Sequence, residues 1–270
     1  MSNWQPTGAV GIYGVGNMGE ALLAGLIAAG TAPELIYFAE KREDRAAEIS
    51  AKYGASHKSV TEIAKECSTI LLVVKPQDLG GLLEGIKGDL TAGALLISFA
   101  AGKTISLIEN ALPAGISIIR VMPNTPALIG LGAAGISPGT HVTDSQLAFT
   151  QNFLESCGMA VILDEALQDA VTALSGSGPA YFFAFVEAMV ASGIELGLSE
   201  EVATALTHQT ILGAAGMLNQ SGKSATTLRE NVTSPNGTTA AALKVLSEGR
   251  LAELVARAMT AARDRSQELA

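Results

Sequence analysis

Ala9 to Gly30 reads AVGIYGVGNMGEALLAGLIAAG. A short apolar run with β-branched and aromatic residues (Val10, Ile12, Tyr13) meets Gly14-Val15-Gly16-Asn17-Met18-Gly19, and an Ala/Leu-rich helical pattern follows at once. Strand, glycine turn and helix in that order are the setting of a dinucleotide-binding fingerprint. Gly14 permits the tight turn, Gly16 lets the backbone approach a pyrophosphate, and Gly19 lets helix and strand pack closely. The helix start then offers free N–H groups and the positive end of a dipole to the phosphates. A bare GxGxxG is common, but in this setting it reads as nucleotide binding.

Downstream, Glu34–Glu40 (ELIYFAE) reads as a second buried strand. Lys41–Tyr53 reads as a charged amphipathic helix with its apolar side at Ala46, Ala47, Ile49 and Tyr53. Ser59 has the form of an N-cap, with Glu62 at the capping-box position, opening a helix Val60–Glu66. Thr69–Val74 (TILLVV), Ala94–Phe99 (ALLISF) and Ser117–Met122 (SIIRVM) are continuous apolar runs, as expected of strands buried on both faces. Thr104–Ala111 is a short helix between the last two. This alternation predicts an α/β fold, a Rossmann-type doubly wound and mainly parallel sheet. Leu131–Ser137 and Met159–Leu163 read as extra edge strands around a helix Asp144–Cys157. Past Asp164 the strand signal ends, which divides the chain into a dinucleotide-binding domain, 1–164, and an all-helical domain, 165–270.

The bulk composition limits what this architecture can serve. The chain has 270 residues, 48% hydrophobic and 16% charged, with a mean hydropathy of +0.34. That is more apolar than a typical soluble monomer, and a buried subunit interface or a membrane must absorb the excess. The net charge of −9 argues against nucleic acid and anionic membrane surfaces as partners. No charged-then-apolar leader opens the chain, and the long uncharged stretch Val202–Gly222 is too polar to span a bilayer. Cys67 and Cys157 have neither metal-ligand nor disulfide-framework spacing and read as packing thiols of a cytoplasmic protein.

In the helical domain, Pro179–Leu196 (PAYFFAFVEAMVASGIEL) is apolar almost all round and should be buried on every side. Val202–Leu218 is rich in Ala, Gly and Thr and permits close helix approach. A domain of this size cannot cover such helices within one subunit, so an interlocked homodimer through it is expected.

In an open α/β sheet, ligands bind beyond the carboxyl ends of the strands. Here those ends are Gly14–Gly19, Glu40–Arg42, Lys75–Pro76, Ala100–Gly102 and Pro123–Pro126, with Ser59 counted in the cofactor set. Glu40 stands near the offset at which an acidic residue holds the ribose diol of NAD. Lys41 and Arg42 directly after it suit the 2′-phosphate of NADP, so this stretch points both ways. Ser175-Gly176-Ser177-Gly178-Pro179 and Ser234-Pro235-Asn236-Gly237-Thr238-Thr239 each precede a helix, and each is a candidate anion site. The second, with Ser234, is read as the seat of a substrate carboxylate, and Ser177 of the first is counted beside it. His57, His141 and His208 lack a matching acid motif, and no metal-ligand set is present. The chemistry therefore needs no protein nucleophile or metal, and hydride transfer to an electrophilic C=N bond fits.

Together these loops resemble pyrroline-5-carboxylate reductase. The resemblance runs nearly end to end: GVGNMG at Gly14–Gly19, VVKP at Val73–Pro76, SFAAG at Ser98–Gly102, RVMPNTPA at Arg120–Ala127, SGSGPAY at Ser175–Tyr181 and SPNGTT at Ser234–Thr239. It implies a Rossmann domain with a helical dimerisation domain, dimers that in the family commonly assemble into decamers, and reduction of L-1-pyrroline-5-carboxylate to L-proline with NADPH or NADH. By residue match it implies cofactor contacts from Tyr13, Gly14, Val15, Gly16, Asn17 and Met18. Val73, Val74, Lys75 and Pro76 would add to them, and Ala100, Ala101, Gly102 and Asn124 would line the nicotinamide side. Gly237, Thr238 and Thr239 would hold the substrate carboxylate, with the Thr239 hydroxyl assisting at the ring nitrogen.

This chain departs from the family pattern at three places. Asn236 stands where the family usually has Gly, and Asn tolerates a left-handed backbone better than most residues. Ser221-Gly222-Lys223-Ser224-Ala225 lacks the usual acidic residue and proline. Glu40-Lys41-Arg42 replaces a more usual Asn/Ser-Arg type of sequence. A β-hydroxyacid or 6-phosphogluconate type dehydrogenase shares the opening motif but carries a helical lysine as general acid/base, and no lysine lies between Asp169 and Ala191. A nucleotide-sensing module that lost its chemistry would not need Thr238-Thr239 and MPNTPA intact.

Overall fold

The computed structural model describes residues 8–269. Residues 1–7, where the sequence reads as leaderless, and Ala270 lie outside the described residues. The chain forms two units, 8–179 with 262–269, and 180–261.

The first unit is built on an eight-stranded sheet. Its elements run β1 (Ala9–Tyr13), α1 (Asn17–Ala28), β2 (Ile36–Ala39), α2 (Glu43–Tyr53), β3 (Ser56–His57), α3 (Val60–Glu66), β4 (Cys67–Leu72), α4 (Pro76–Ile86), β5 (Leu95–Ser98), α5 (Ile105–Ala111), β6 (Ser117–Met122), β7 (Gly132–Pro138), α6 (Asp144–Glu155), β8 (Gly158–Ile162) and α7 (Gln168–Val171). The strand order is β3-β2-β1-β4-β5-β6-β7-β8, and every neighbouring pair is parallel except β6 with β7. The two strands read from sequence as edge additions are β7 and β8, wrapped around α6 as expected.

The continuous apolar runs serve a core on each face of the sheet. Along β1, Val10 and Ile12 enter the cluster that holds Leu22, Phe38 and Phe153, while Ala9 and Tyr13 enter the opposite cluster with Ile63, Leu83 and Ile108. Leu95 and Ile97 of β5 face the first core and Leu96 the second; Ile119 and Val121 of β6 face the first and Ile118 the second. This two-residue alternation over two apolar faces is what a doubly wound sheet requires. Gly11 is needed at the centre of β1, because a Cβ there would lie 2.3 Å from Cγ2 of Ile63 on α3.

Local departures from the sequence reading have plain causes. Glu34 and Leu35 belong to a 3₁₀ turn opened by Pro33, so β2 starts only at Ile36. Ala47, expected on the apolar side of α2, is exposed; Ala46 and Ile49 carry the contact. The helix α4, whose Pro76 sits in the first turn, has no counterpart in the sequence reading.

The second unit contains most of α8 (Gly178–Glu195), then α9 (Glu200–Gln220), α10 (Ala225–Asn231), α11 (Thr238–Glu248) and the first part of α12 (Leu251–Glu268). The sequence pattern after Thr239 predicts one final helix, Ala240–Arg263, but Arg250 adopts φ 56° after Gly249 and breaks it into α11 and α12. The expectation that α8 is buried on every side fails within one chain: Phe182 and Phe183 are 66% and 63% exposed. Leu206 and Leu212 of α9 and Val245 of α11 are also exposed, and so is His208, whose place among apolar residues reads as that of a packed or interface residue rather than a base.

Candidate active site

The site begins at the carboxyl end of β1. Gly14 sits at φ 93°, and a Cβ there would meet the Val73 carbonyl oxygen at 2.8 Å, so conformation and space both demand glycine. Its N–H donates to the Ala39 carbonyl at 3.0 Å, which ties the ends of β1 and β2 together. Gly19 is more confined still: its Cβ would lie 2.0 Å from the Gly14 carbonyl oxygen. Gly16, by contrast, faces open space, with nothing within 4 Å of a Cβ. Gly16 is also the N-cap of α1, and no side chain caps that helix. Free N–H groups at a helix start, below a residue without a side chain, form a cradle for a diphosphate.

A cleft of about 1400 Å³ opens in front of this cradle. Tyr13, Gly14, Gly16, Asn17, Lys41, Arg42, Ser59, Val73, Val74 and Lys75 of the expected cofactor set line it. The Tyr13 side chain is buried, and its phenol donates to the Val60 carbonyl at 2.8 Å, with burial pushing its pKa well up. The Ser59 hydroxyl is held in the capping box with Glu62. Val15, Met18, Pro76, Ala100, Ala101, Gly102 and Asn124 lie outside the cleft wall. The Val15 side chain packs in the core, and its backbone faces the site instead. Ala100 and Gly102 are buried, and a Cβ at Gly102, φ 73°, would meet the Leu269 Cβ at 2.8 Å. Asn124 acts as a clamp: its Oδ1 accepts from Ala133 N–H at 2.8 Å, and its Nδ2 donates to the Ser175 carbonyl at 3.1 Å.

The sequence reading missed the brace beneath the glycine turn. Arg45 of α2 donates to the Val15 carbonyl at 3.0 Å and pairs with Glu20 of α1 and with Glu48. Lys52 and Tyr53 reach the other Glu20 oxygen at 2.8 and 2.9 Å. Lys52 most of all, with Arg45 and Tyr53, holds the Glu20 carboxyl down to about 2 against burial, which acts the other way. His57 and Lys58 also line the cleft, delivered by β3, whose two residues are too few to show a period.

A second missed cluster lies under β6. Arg120 is 4% exposed and pairs with Glu165 at 3.2 Å and Asp169 at 3.5 Å. Glu165 also accepts from Ile105 N–H at 2.7 Å, and Asp169 from the Ser266 hydroxyl at 2.7 Å. The signal was present: a charge inside SIIRVM must find partners, because an unpaired buried guanidinium is too costly. A π-helical turn, Thr172–Gly176, follows α7 and contains the Ser175 that Asn124 holds. Ser177 follows it and donates its N–H to the Thr172 carbonyl at 2.8 Å.

In the second unit, the turn Ser234–Thr239 opens α11. Asn236 sits at φ 59°, the left-handed conformation expected of it. Gly237 is the N-cap, and a Cβ there would lie 2.3 Å from the Ser234 hydroxyl. No side chain caps α11, whereas Ser199 and Ser224 cap α9 and α10. The N–H groups of Thr238 and Thr239, at the first two helical positions, have no intrahelical partner and no side-chain cap, as an anion seat requires, whereas the Gly237 N–H donates to the Ser234 carbonyl at 3.0 Å.

Residues 165–269 match the family model described as pyrroline-5-carboxylate reductase dimerisation, and residues 9–102 match one described as NADP oxidoreductase, coenzyme F420-dependent. A pyrroline-5-carboxylate reductase of Mycobacterium leprae is 38% identical, with 96% of each chain covered. The chain belongs to the pyrroline-5-carboxylate reductase family. The solved reductase of Coxiella burnetii superposes with a TM-score of 0.91 at 37% identity, covering 98% of this chain and 99% of that one. The Plasmodium falciparum enzyme, solved with NADP bound, gives a TM-score of 0.88 at 30% identity over 98% and 99%. The exposed apolar helices of the second unit lie inside the reductase dimerisation segment, which makes the chain a homo-oligomer former. Glu165–Glu195 is long and apolar enough to cross a membrane by length and composition, and it too falls in that segment.

Proposed function

We propose that this chain reduces L-1-pyrroline-5-carboxylate to L-proline with NADH or NADPH, the final step of proline biosynthesis, in the cytoplasm. The observation that carries the reading is the uncapped start of α11 behind the left-handed Asn236, in a chain of this family. The carboxylate of the substrate sits on the N–H groups of Thr238 and Thr239, with Ser234 and Ser177 as further polar contacts. The Gly237 N–H, expected to join them, is instead taken by the Ser234 carbonyl at 3.0 Å, so Gly237 shapes the turn. The residues of the first unit fit a dinucleotide, because α1 offers an uncapped N-terminus beneath the open Gly16 position. When bound, the reduced nicotinamide supplies a hydride to the imine carbon. The ring nitrogen takes a proton, so C=N becomes CH–NH, and the Thr239 hydroxyl orients that nitrogen and assists its protonation. Val73, Val74, Lys75 and Pro76 support the cofactor, and Ala100, Ala101, Gly102 and Asn124 shape its nicotinamide side.

The domain division we propose follows chemistry: 1–164 holds the cofactor, and 165–270 carries the substrate turn and the dimer interface. A second copy of the chain, rather than lipid, covers Phe182 and Phe183, and dimers assemble further into a decamer. Light scattering at micromolar concentration should give a dimer or larger; a monomer refutes the assembly. Purified protein should oxidise NADH or NADPH only when pyrroline-5-carboxylate is supplied. Absence of turnover with both cofactors refutes the reaction.

A further inference from the structure

We propose that Glu40 selects the dinucleotide without a 2′-phosphate, so that NADH is preferred over NADPH. This deepens the functional reading and rests on it. Glu40 directly follows β2, beside the glycine turn. One carboxylate oxygen accepts from Val15 N–H at 3.3 Å, and the other from Arg42 N–H at 3.1 Å. The carboxylate is thus fixed across the gap between the ends of β1 and β2, where an acidic residue binds the adenosine ribose hydroxyls. A ribose diol finds an acceptor there. A 2′-phosphate finds a carboxylate already oriented by two backbone donors, and like charges repel.

The cations around this point do not offset it. Arg42 lines the cleft, but its guanidinium lies 3.5 Å from Asp44 and its side chain is two-thirds exposed (67%), so it is a solvated, partly paired cation. Arg45 is held by the Val15 carbonyl, Glu20 and Glu48. Lys58 pairs with Glu66, and its ammonium lies 3.8 Å from the centre of the Tyr37 ring. Lys41 remains as an exposed counter-charge on a flexible stem, a weaker phosphate ligand than a fixed guanidinium fork.

The test is equilibrium titration of NADH and of NADPH into the whole protein, followed by nicotinamide fluorescence, without substrate. NADH should bind about 10- to 100-fold more tightly, the range set by a hydrogen bond to a charged acceptor. Glu40→Gln keeps the side-chain shape and removes the charge. It should weaken NADH, strengthen NADPH and reduce the ratio about tenfold or more. Equal or tighter NADPH binding by the unsubstituted protein overturns the proposal, as does an unchanged ratio in a folded Glu40→Gln. If NADH is preferred in binding yet pyrroline-5-carboxylate is not reduced, the functional reading fails and the assignment of Glu40 stands. If neither dinucleotide binds, both fall.

Discussion

Substituting Gly16 by Ala separates the cradle's binding role from its structural one. A Cβ at Gly16 meets nothing within 4 Å, and the backbone there, φ −64° and ψ −165°, suits any residue. The folding cost is that of a poorer N-cap, about 1 kcal/mol or less, and a fall in Tm of a few °C. The same methyl group stands over the start of α1, where a diphosphate must come within hydrogen-bonding distance of the first N–H groups. Each charge-assisted bond lost costs about 1.5–3 kcal/mol, or roughly 10- to 100-fold in affinity. Gly16→Ala should therefore raise the dissociation constant of the preferred cofactor at least about tenfold while the protein unfolds almost normally. Gly19→Ala is the contrasting variant. Its methyl group would be driven to 2.0 Å from the Gly14 carbonyl oxygen, so the turn itself must shift. That overpacking should cost about 1–3 kcal/mol or more in thermal or denaturant unfolding. Unaltered cofactor affinity in Gly16→Ala refutes the cradle; a stability loss equal to that of Gly19→Ala shows that Gly16 is structural.

Thr239→Ala should lower turnover with pyrroline-5-carboxylate about 100-fold and leave cofactor affinity nearly intact; equal losses in both would remove Thr239 from the substrate. Arg120→Ala leaves Glu165 and Asp169 without their buried partner and should cost about 3–5 kcal/mol in denaturant unfolding, and Arg120→Met less. A loss below about 1 kcal/mol would show that the cluster is solvated. Glu20 is held at about 2 in the folded chain against an ordinary value of 4.5. A depressed carboxyl contributes stability above its unfolded pKa that is lost as pH falls toward the folded one. Stability should thus decline between pH 4.5 and about 2, by about 1 kcal/mol after solvent screening. Glu20→Gln should flatten that limb, and an unchanged acid limb would show that other carboxyls govern it.

The sheet was legible because parallel strands buried on both faces leave a strong trace: TILLVV, ALLISF and SIIRVM each became a strand within two residues of expectation. The capping box at Ser59 and Glu62 was legible for a different reason, since a helix start needs side-chain acceptors at fixed spacing. The half of the site that sequence concealed depends on long-range charge pairing. Arg45 reaching back to Val15 and Glu20 spans 30 and 25 residues, and no local pattern encodes it. Asn124 was assigned to the nicotinamide side by motif. Its amide is engaged with Ala133 and Ser175, so what Asn124 fixes is the fold of the MPNTPA turn.

The second unit shows where local rules stop. The apolar surface of α8 is explained neither by a core within the unit, since Phe182, Phe183 and Phe185 are exposed, nor by periodicity, since apolar residues surround the helix. By length and hydropathy alone it qualifies as a membrane span. Three features support the proposal that a protein surface, rather than lipid, covers it. It continues into α9, whose buried residues Ala203 and Thr207 are small, and a Cβ on Gly193 of α8 would meet the Ala203 Cβ at 3.2 Å, so the two helices approach closely. The turn that opens α11 is polar and lacks a side-chain cap, which leaves N–H groups at its start that hydrocarbon would not satisfy. The segment also matches a dimerisation model over nearly its whole length. An all-round apolar helix in such a setting needs a protein surface of equal size, and a second copy of the same helices supplies one with self-complementary shape.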